Sequence, residues 1–194
     1  MTDRDTKEKI RDAALQLFCK EGIMEAIIYK TNTGSTEQYA KLLAHETGLP
    51  VYSMTEAGQK IQPGAKVIYL GWIMAGAVKG YAEAKKHYSI CAVCAVGMGQ
   101  TGTQTDELRK KNRIPDDVHL FTLQGNFNVR KLHGIYRLMM KIMIKTAGKA
   151  LSDKKDRTPE EDDMLEMMIC GGERVKHENI SSVLDWYKEQ VQNK

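Results

Sequence analysis

No apolar run in this 194-residue chain approaches the roughly 20 residues needed to span a bilayer. The N-terminus is charged and carries no hydrophobic stretch of the signal-peptide kind, so a cytoplasmic location is expected. Neither sign of charge dominates. A net charge of +4 is too modest to imply a nucleic-acid partner, and none is expected. Cysteine is scarce, and Cys19, Cys91, Cys94 and Cys170 do not read as a disulfide framework. The spacing Cys91-Ala92-Val93-Cys94 is that of redox and zinc motifs, but it lies inside the apolar run Ile90 to Val96. In a strand, residues three apart face opposite sides and stand about 10 Å apart, beyond disulfide reach. Buried, inert thiols and no metal centre are expected. What is present, 42% hydrophobic and 28% charged residues, describes a globular protein. Its length suits one domain with a full core, with or without appendages.

The chain is organised around Ala26 to Thr36. Ala26-Ile27-Ile28-Tyr29 has the length and β-branched content of a short buried strand that stops at Lys30. Thr31-Asn32-Thr33-Gly34-Ser35-Thr36 follows, and Glu37 to Ala44 reads as a helix. A strand that turns through hydroxyls and one glycine into a helix N-terminus forms a phosphate seat. Free N–H groups point outward, the helix dipole favours an anion, and hydroxyls add donors. Gly34 permits positive φ and close approach of the backbone. No lysine follows at Walker A spacing, which excludes a nucleoside triphosphate loop. Thr31, Thr33, Gly34 and Thr36 match the T-x-T-G-x-T loop of flavodoxins, which resemblance implies a seat for the terminal phosphate of FMN. The competing reading is an ordinary strand–turn–helix with a polar cap.

From Ala26 the chain alternates strands and helices. Strands are expected at 26–30, 50–54, 66–70, 90–96 and 118–123, with helices near 35–47, 77–87 and 105–112. Near-continuous apolar strands between helices mean a parallel sheet covered on both faces. The expected class is α/β, a three-layer flavodoxin-like fold whose five-stranded parallel sheet has the order 2-1-3-4-5. Three glycine-bearing loops would then emerge at one sheet edge: Thr31 to Thr36, Gly71-Trp72-Ile73-Met74-Ala75-Gly76, and Gly97-Met98-Gly99-Gln100-Thr101-Gly102. Ligands bind at such an edge, at the switch point between strands one and three.

All eighteen of these residues are candidate cofactor contacts. Residues 31–36 suit phosphate. Trp72, Ile73 and Met74 offer flat apolar surface to a flavin ring, and the third loop would cover its other side. Trp72 can alternatively close the core. Gly97-x-Gly99-x-x-Gly102 also matches the dinucleotide fingerprint, but the acid that should end the next strand is missing: Gln124 and Asn126 stand there. The match therefore reads as coincidence within a flavin loop. No catalytic acid or base is legible; His45 and His133 qualify by residue type alone.

Two segments flank this core. Asp5 to Phe18 is an amphipathic helix stopped by Gly22, and it resembles the first helix of TetR-type repressors. No helix-turn-helix is recognisable after it, so residues 1–23 read as a helical extension to a domain spanning 24–194, with a TetR-like DNA-binding regulator as the alternative reading. After strand five comes an insertion at 126–158, largely one long helix from Arg130 to Leu151. Its cations Arg137, Lys141, Lys145 and Lys149 recur every four residues, beside an apolar face of Leu132, Ile135, Tyr136, Met139, Met140, Met143 and Ala147. Such a helix can grip an anionic membrane surface peripherally or an acidic partner; equally, its apolar face can pack on the sheet. Thr158-Pro159-Glu160-Glu161 starts another helix, closed by Gly171-Gly172, and a last helix runs from Ser181 to Gln192.

Residues 24–192 resemble the branch of flavodoxin-domain proteins related to menaquinone-dependent protoporphyrinogen dehydrogenase. The likeness is carried by Thr31 to Thr36, the Gly71–Gly76 loop, and Leu123-Gln124-Gly125, Lys131-Leu132 and Met139-Met140-Lys141 leading to Arg157-Thr158-Pro159-Glu160-Glu161. It implies noncovalent FMN, one- or two-electron chemistry, and either a redox partner protein or a quinone-like small molecule as substrate. Flavodoxins are acidic whereas this chain is basic, which argues against a simple shuttle docking on positive partners.

Overall fold

The computed structural model describes residues 24–127 and 134–192. The expected repressor-like helix at 5–18, Cys19, Leu132 and His133 lie outside the described residues.

The strands form because their apolar residues alternate between two buried faces. β1 (Ala26–Lys30), β2 (Val51–Ser53), β3 (Lys66–Met74), β5 (Ser89–Gly97) and β6 (His119–Gln124) pair in parallel in the order β2-β1-β3-β5-β6. Ile28, Val67, Tyr69, Val93 and Ala95 face one core, together with Ala57, Tyr81, Ala84 and Leu108. Those four side chains come from α2 (Met54–Lys60), α3 (Tyr81–His87) and α4 (Thr105–Asn112). Ile27, Ile68, Leu70, Cys94 and Val96 face the other core. There they meet Tyr39, Ala40 and Leu43 of α1 (Ser35–Thr47) and Val183, Leu184 and Trp186 of α8 (Ser181–Gln192). The period of two along each strand thus produces three layers, as the sequence suggested.

The sheet departs from the expected five strands. β3 runs past Leu70 to Met74, and a two-residue β4 (Ala77–Val78) folds back antiparallel on it, pairing Ile73 with Val78 and Met74 with Ala77. The segment 71–76 is therefore mostly strand, not loop. Gly71 sits inside the strand because a Cβ there would stand 2.7 Å from both the Lys79 carbonyl oxygen and Val78 Cγ1. Ala75 and Gly76 make the turn, both at positive φ. The helix expected from residue 77 starts at Tyr81 instead, and α2 replaces the end of the second strand; its Ser53–Glu56 capping box accounts for that start.

A bulge corrects the reading of the cysteine pair. Val67 pairs with Ile90 but Ile68 with Ala92, leaving Cys91 as the extra residue. Strand parity slips by one there, so Cys91 and Cys94 pack toward the same core rather than opposite ones. Burial pushes the Cys94 thiol up to about 12, which suppresses the reactive thiolate.

After β6 come α5 (Gly134–Met143), a π-helical turn (Ile144–Gly148), α6 (Lys149–Asp153) and α7 (Pro159–Cys170). The start of α7 is as expected. Thr158 Oγ1 accepts from the Glu161 N–H at 3.3 Å, while a Glu161 carboxylate oxygen accepts from the Thr158 N–H at 3.0 Å. Val191, near the end of the last helix, is 52% exposed. Among the described residues no helix is long and apolar enough to cross a membrane.

Candidate functional site

A cleft of about 490 Å³ opens at the C-terminal edge of the sheet. It lies over β1, β3 and β5, where the chain goes first to β2 on one side and then to β3 on the other.

One wall is the start of α1. Gly34 caps the helix at φ 98°, and the first helical bond runs from the Gln38 N–H to the Gly34 carbonyl at 3.0 Å. The N–H groups of Ser35, Thr36 and Glu37 thus have no acceptor within the helix. The Gly34 N–H donates to Thr31 Oγ1 at 3.0 Å, which tightens the turn. A Cβ on Gly34 would meet nothing within 4 Å, so glycine is required by the left-handed backbone and not by crowding. Asn32, Thr33, Ser35 and Thr36 line the cleft. The Ser35 hydroxyl is already engaged by the backbone N–H of Asn126 at 3.0 Å.

The second wall is the end of β3. Trp72, Ile73, Met74 and Ala75 line the cleft. Trp72 is half-buried and paired in register with Val96 of β5, so it belongs to the sheet edge. Asn112 of α4 clamps the β3–β4 hairpin: its side chain accepts from the Val78 N–H at 2.8 Å and donates to the Gly76 carbonyl at 2.9 Å.

Gly97, Met98, Gly99 and Gln100 line the third side. A Cβ on Gly97 would stand 2.8 Å from Ile73 Cδ1, so glycine lets the ends of β5 and β3 meet. Thr101 and Gly102 strap this loop to β6: the Gln124 N–H donates to Thr101 Oγ1, and the Gly102 N–H donates to the Thr122 carbonyl. Helix α4 begins only at Thr105. The glycines 97, 99 and 102 therefore do not open a helix in the manner of the dinucleotide fingerprint.

The structure thus gathers twelve of the eighteen candidate residues around one cleft. Thr31, Gly34, Gly76, Thr101 and Gly102 stand off its wall in the turns, and Gly71 lies inside β3.

The roof was not legible. Met139, Met140 and Met143 of α5 and Met164 and Met168 of α7 close the cleft from above. Their i, i+4 spacing within each helix was the available signal, but it does not say which helix returns over the sheet. Behind the roof, Gln124 donates to Asp163 at 2.6 Å, and Arg174 donates to the same carboxylate at 3.0 and 3.2 Å. Asn126 Oδ1 accepts from the N–H groups of Arg174 and Val175 at 2.6 and 2.9 Å. The Tyr39 hydroxyl, raised above the usual tyrosine range by burial, donates to the Gln124 carbonyl at 2.5 Å and accepts from Asn179. Together these bonds tie α7 and the segment after it to the end of β6.

Residues 26–154 match the family model described as a flavodoxin domain. The chain belongs to the flavodoxin domain family. No curated protein matches it. Among solved structures it is similar to the crystal structure of a "putative flavoprotein" from Bacteroides eggerthii. That likeness has 12% identity and a TM-score of 0.35, covering 63% of this chain and 96% of the other. The flavodoxin domain includes β1 through α6, so the family match takes in all three sheet-edge walls and the α5 part of the roof.

Proposed function

We propose that this flavodoxin domain holds FMN noncovalently in the cleft and carries electrons through it. The observation behind the proposal is the convergence, in one cleft, of a helix N-terminus bearing unsatisfied N–H groups with flat apolar walls and a thioether roof. The residues present fit the group. The N–H groups at the start of α1 and the hydroxyls of Thr33 and Thr36 suit a phosphate. Trp72, Ile73 and Met98 suit an aromatic ring system, and the backbone at Gly97 and Gly99 suits its polar edge. Bound there, FMN would supply one- and two-electron transfer; the chain binds and orients it and excludes water with its methionines.

A second reading is an FMN-dependent oxidoreductase of the protoporphyrinogen or quinone type, the branch that the sequence resembles. What favours it is the roof: helices α5 and α7 enclose a space over the sheet edge, as a substrate cleft requires. A third reading, a TetR-like DNA-binding regulator acting through residues 1–23, rests on the sequence alone.

The deciding measurement is the visible absorption of purified protein before and after FMN is added. A flavin band that survives desalting and weakens in Thr33→Ala supports the proposal. A protein that stays colourless in excess FMN overturns it. Turnover of a quinone by the flavin-loaded protein, without a protein acceptor, selects the second reading.

A further inference from the structure

The helix that roofs the cleft has another surface. Four of the six large apolar side chains that are exposed among the described residues belong to α5: Ile135, Leu138, Met139 and Ile142, at 67, 58, 44 and 55% exposure. Ile135, Leu138 and Ile142 follow the i, i+3, i+7 spacing of one helical face. Met140 and Met143 occupy the adjoining face and line the cleft. On the other flank stand Arg137 and Lys141, continued by Lys145 and Lys149, all exposed. Among the described residues no carboxylate pairs with any of the four. The sequence holds no Asp or Glu between Asp117 and Asp153.

We propose that α5 docks on the surface of an anionic lipid bilayer. Ile135, Leu138 and Ile142 enter the boundary between headgroups and acyl chains, and Arg137, Lys141, Lys145 and Lys149 rest on headgroup phosphates. A helix with an exposed apolar stripe beside uncompensated cations has the composition of an interfacial helix. Long basic side chains can lie along such a stripe and keep their charges at the phosphate level. The charge pattern weighs against a second copy of the chain as occupant, because an isologous contact through α5 would bring two sets of unpaired cations together. Met139 belongs both to the exposed stripe and to the cleft lining. A docked α5 therefore sets the mouth of the cleft at the bilayer surface. This inference does not depend on what the cleft holds.

The test is co-sedimentation of the full chain with phosphatidylcholine vesicles and with vesicles that also contain phosphatidylglycerol. The expected result is binding to the anionic vesicles alone, reversed by salt. Each of Lys141→Gln and Lys145→Gln should weaken partitioning about fivefold. Leu138→Ser/Ile142→Ser should abolish binding with all cations retained. These positions are exposed, so far-UV circular dichroism should be unchanged. Parent protein that stays in the supernatant with anionic vesicles overturns the proposal, as does binding indifferent to both sets of substitutions. A parent dimer split by Leu138→Ser/Ile142→Ser, without vesicle binding, assigns the face to a second copy and also overturns it. None of these readouts needs flavin, so their failure is separate from failure of the FMN reading.

Discussion

The backbone N–H of Asn126 donates to the hydroxyl of Ser35 at 3.0 Å, joining the exit of β6 to the first turn of α1. The hydroxyl of Ser35 is therefore part of the wall, although its neighbours in the loop face the cleft. Ser35→Ala should cost about 1 kcal/mol of stability, the ordinary net value of such a bond, and leave FMN affinity within about twofold. Thr33→Ala should do the reverse: unchanged stability and affinity lower by about tenfold, the loss of one hydrogen bond to a charged group. Urea unfolding and flavin fluorescence titration separate the two. Equal effects of both substitutions on affinity would count against this division of roles.

Asn126 is the more consequential partner. Its side chain accepts from two backbone N–H groups and donates to Gln38. Asn126→Ala leaves the N–H groups of Arg174 and Val175 without their acceptor and should lower stability by about 2 kcal/mol. Asn126→Asp retains the acceptor and should recover most of that loss. Urea midpoints of the three proteins provide the check; equivalence of the Ala and Asp variants would refute the assignment.

Gly34 is held at φ 98° with open space where a Cβ would stand. Gly34→Ala should therefore cost about 1–2 kcal/mol through backbone strain alone. Gly125→Ala should cost about 1–3 kcal/mol for a different reason, because its Cβ would stand 2.9 Å from Val96 Cγ1 and 3.3 Å from Ser35 Cβ. Reducing Val96 to Ala should relieve the second substitution and leave the first unchanged, which a double-mutant cycle of unfolding free energies would reveal.

The cysteines should separate by reactivity. Cys170 is exposed at the end of α7, whereas Cys94 is buried and its thiol is pushed up to about 12. At neutral pH an alkylating reagent should label Cys170 in the native protein and reach Cys94 only on unfolding. Mass spectrometry of pulse-labelled protein reads both sites, and rapid native labelling of Cys94 would contradict the packing around β5.

The cap of α7 should be acid-sensitive. Glu161 accepts from Lys154 Nζ at 2.6 and 2.7 Å and from the Thr158 N–H, and these bonds hold its carboxyl below the usual glutamate range. A carboxyl depressed in the folded state contributes stability above its unfolded pKa, and that contribution fades as pH falls through the folded value. The thermal midpoint of Glu161→Gln should therefore lie below that of the parent at neutral pH and converge with it in acid. A gap that persists at low pH would show that the charge is not the source.

The layers were readable because β1, β3 and β5 carry apolar residues on both faces, and such runs suit little except a covered parallel sheet. The conformation of the turn at Thr31–Thr36 was readable for a local reason as well: Thr31, Gly34 and the helix start interact within a few residues of one another. The hairpin at 71–78 was hidden because Gly71 read as the end of a strand, whereas it is the only residue type that fits beneath the returning Lys79 carbonyl. The turn residues Ala75 and Gly76 added little signal, since two-residue hairpins usually announce themselves with Asn-Gly or Asp-Gly. The parity of Cys91 was hidden by a bulge that the sequence does not mark. The methionine roof depends on where α7 returns, and Asn126, Asp163 and Arg174 settle that through contacts far apart in sequence.

Four residues of α-helix overshoot one full turn by about 40°, so cations repeated every fourth residue would wind steadily around a regular helix. Between Lys141 and Lys149 the chain instead passes through the π turn at Ile144–Gly148, with Thr146 Oγ1 donating to the carbonyls of Ile142 and Met143. A π turn holds more residues per revolution than an α turn, so each step there rotates less. The lag offsets part of the accumulated overshoot, so one local irregularity in winding reduces the drift of Arg137, Lys141, Lys145 and Lys149 around the helix that a repeat of four would otherwise build up.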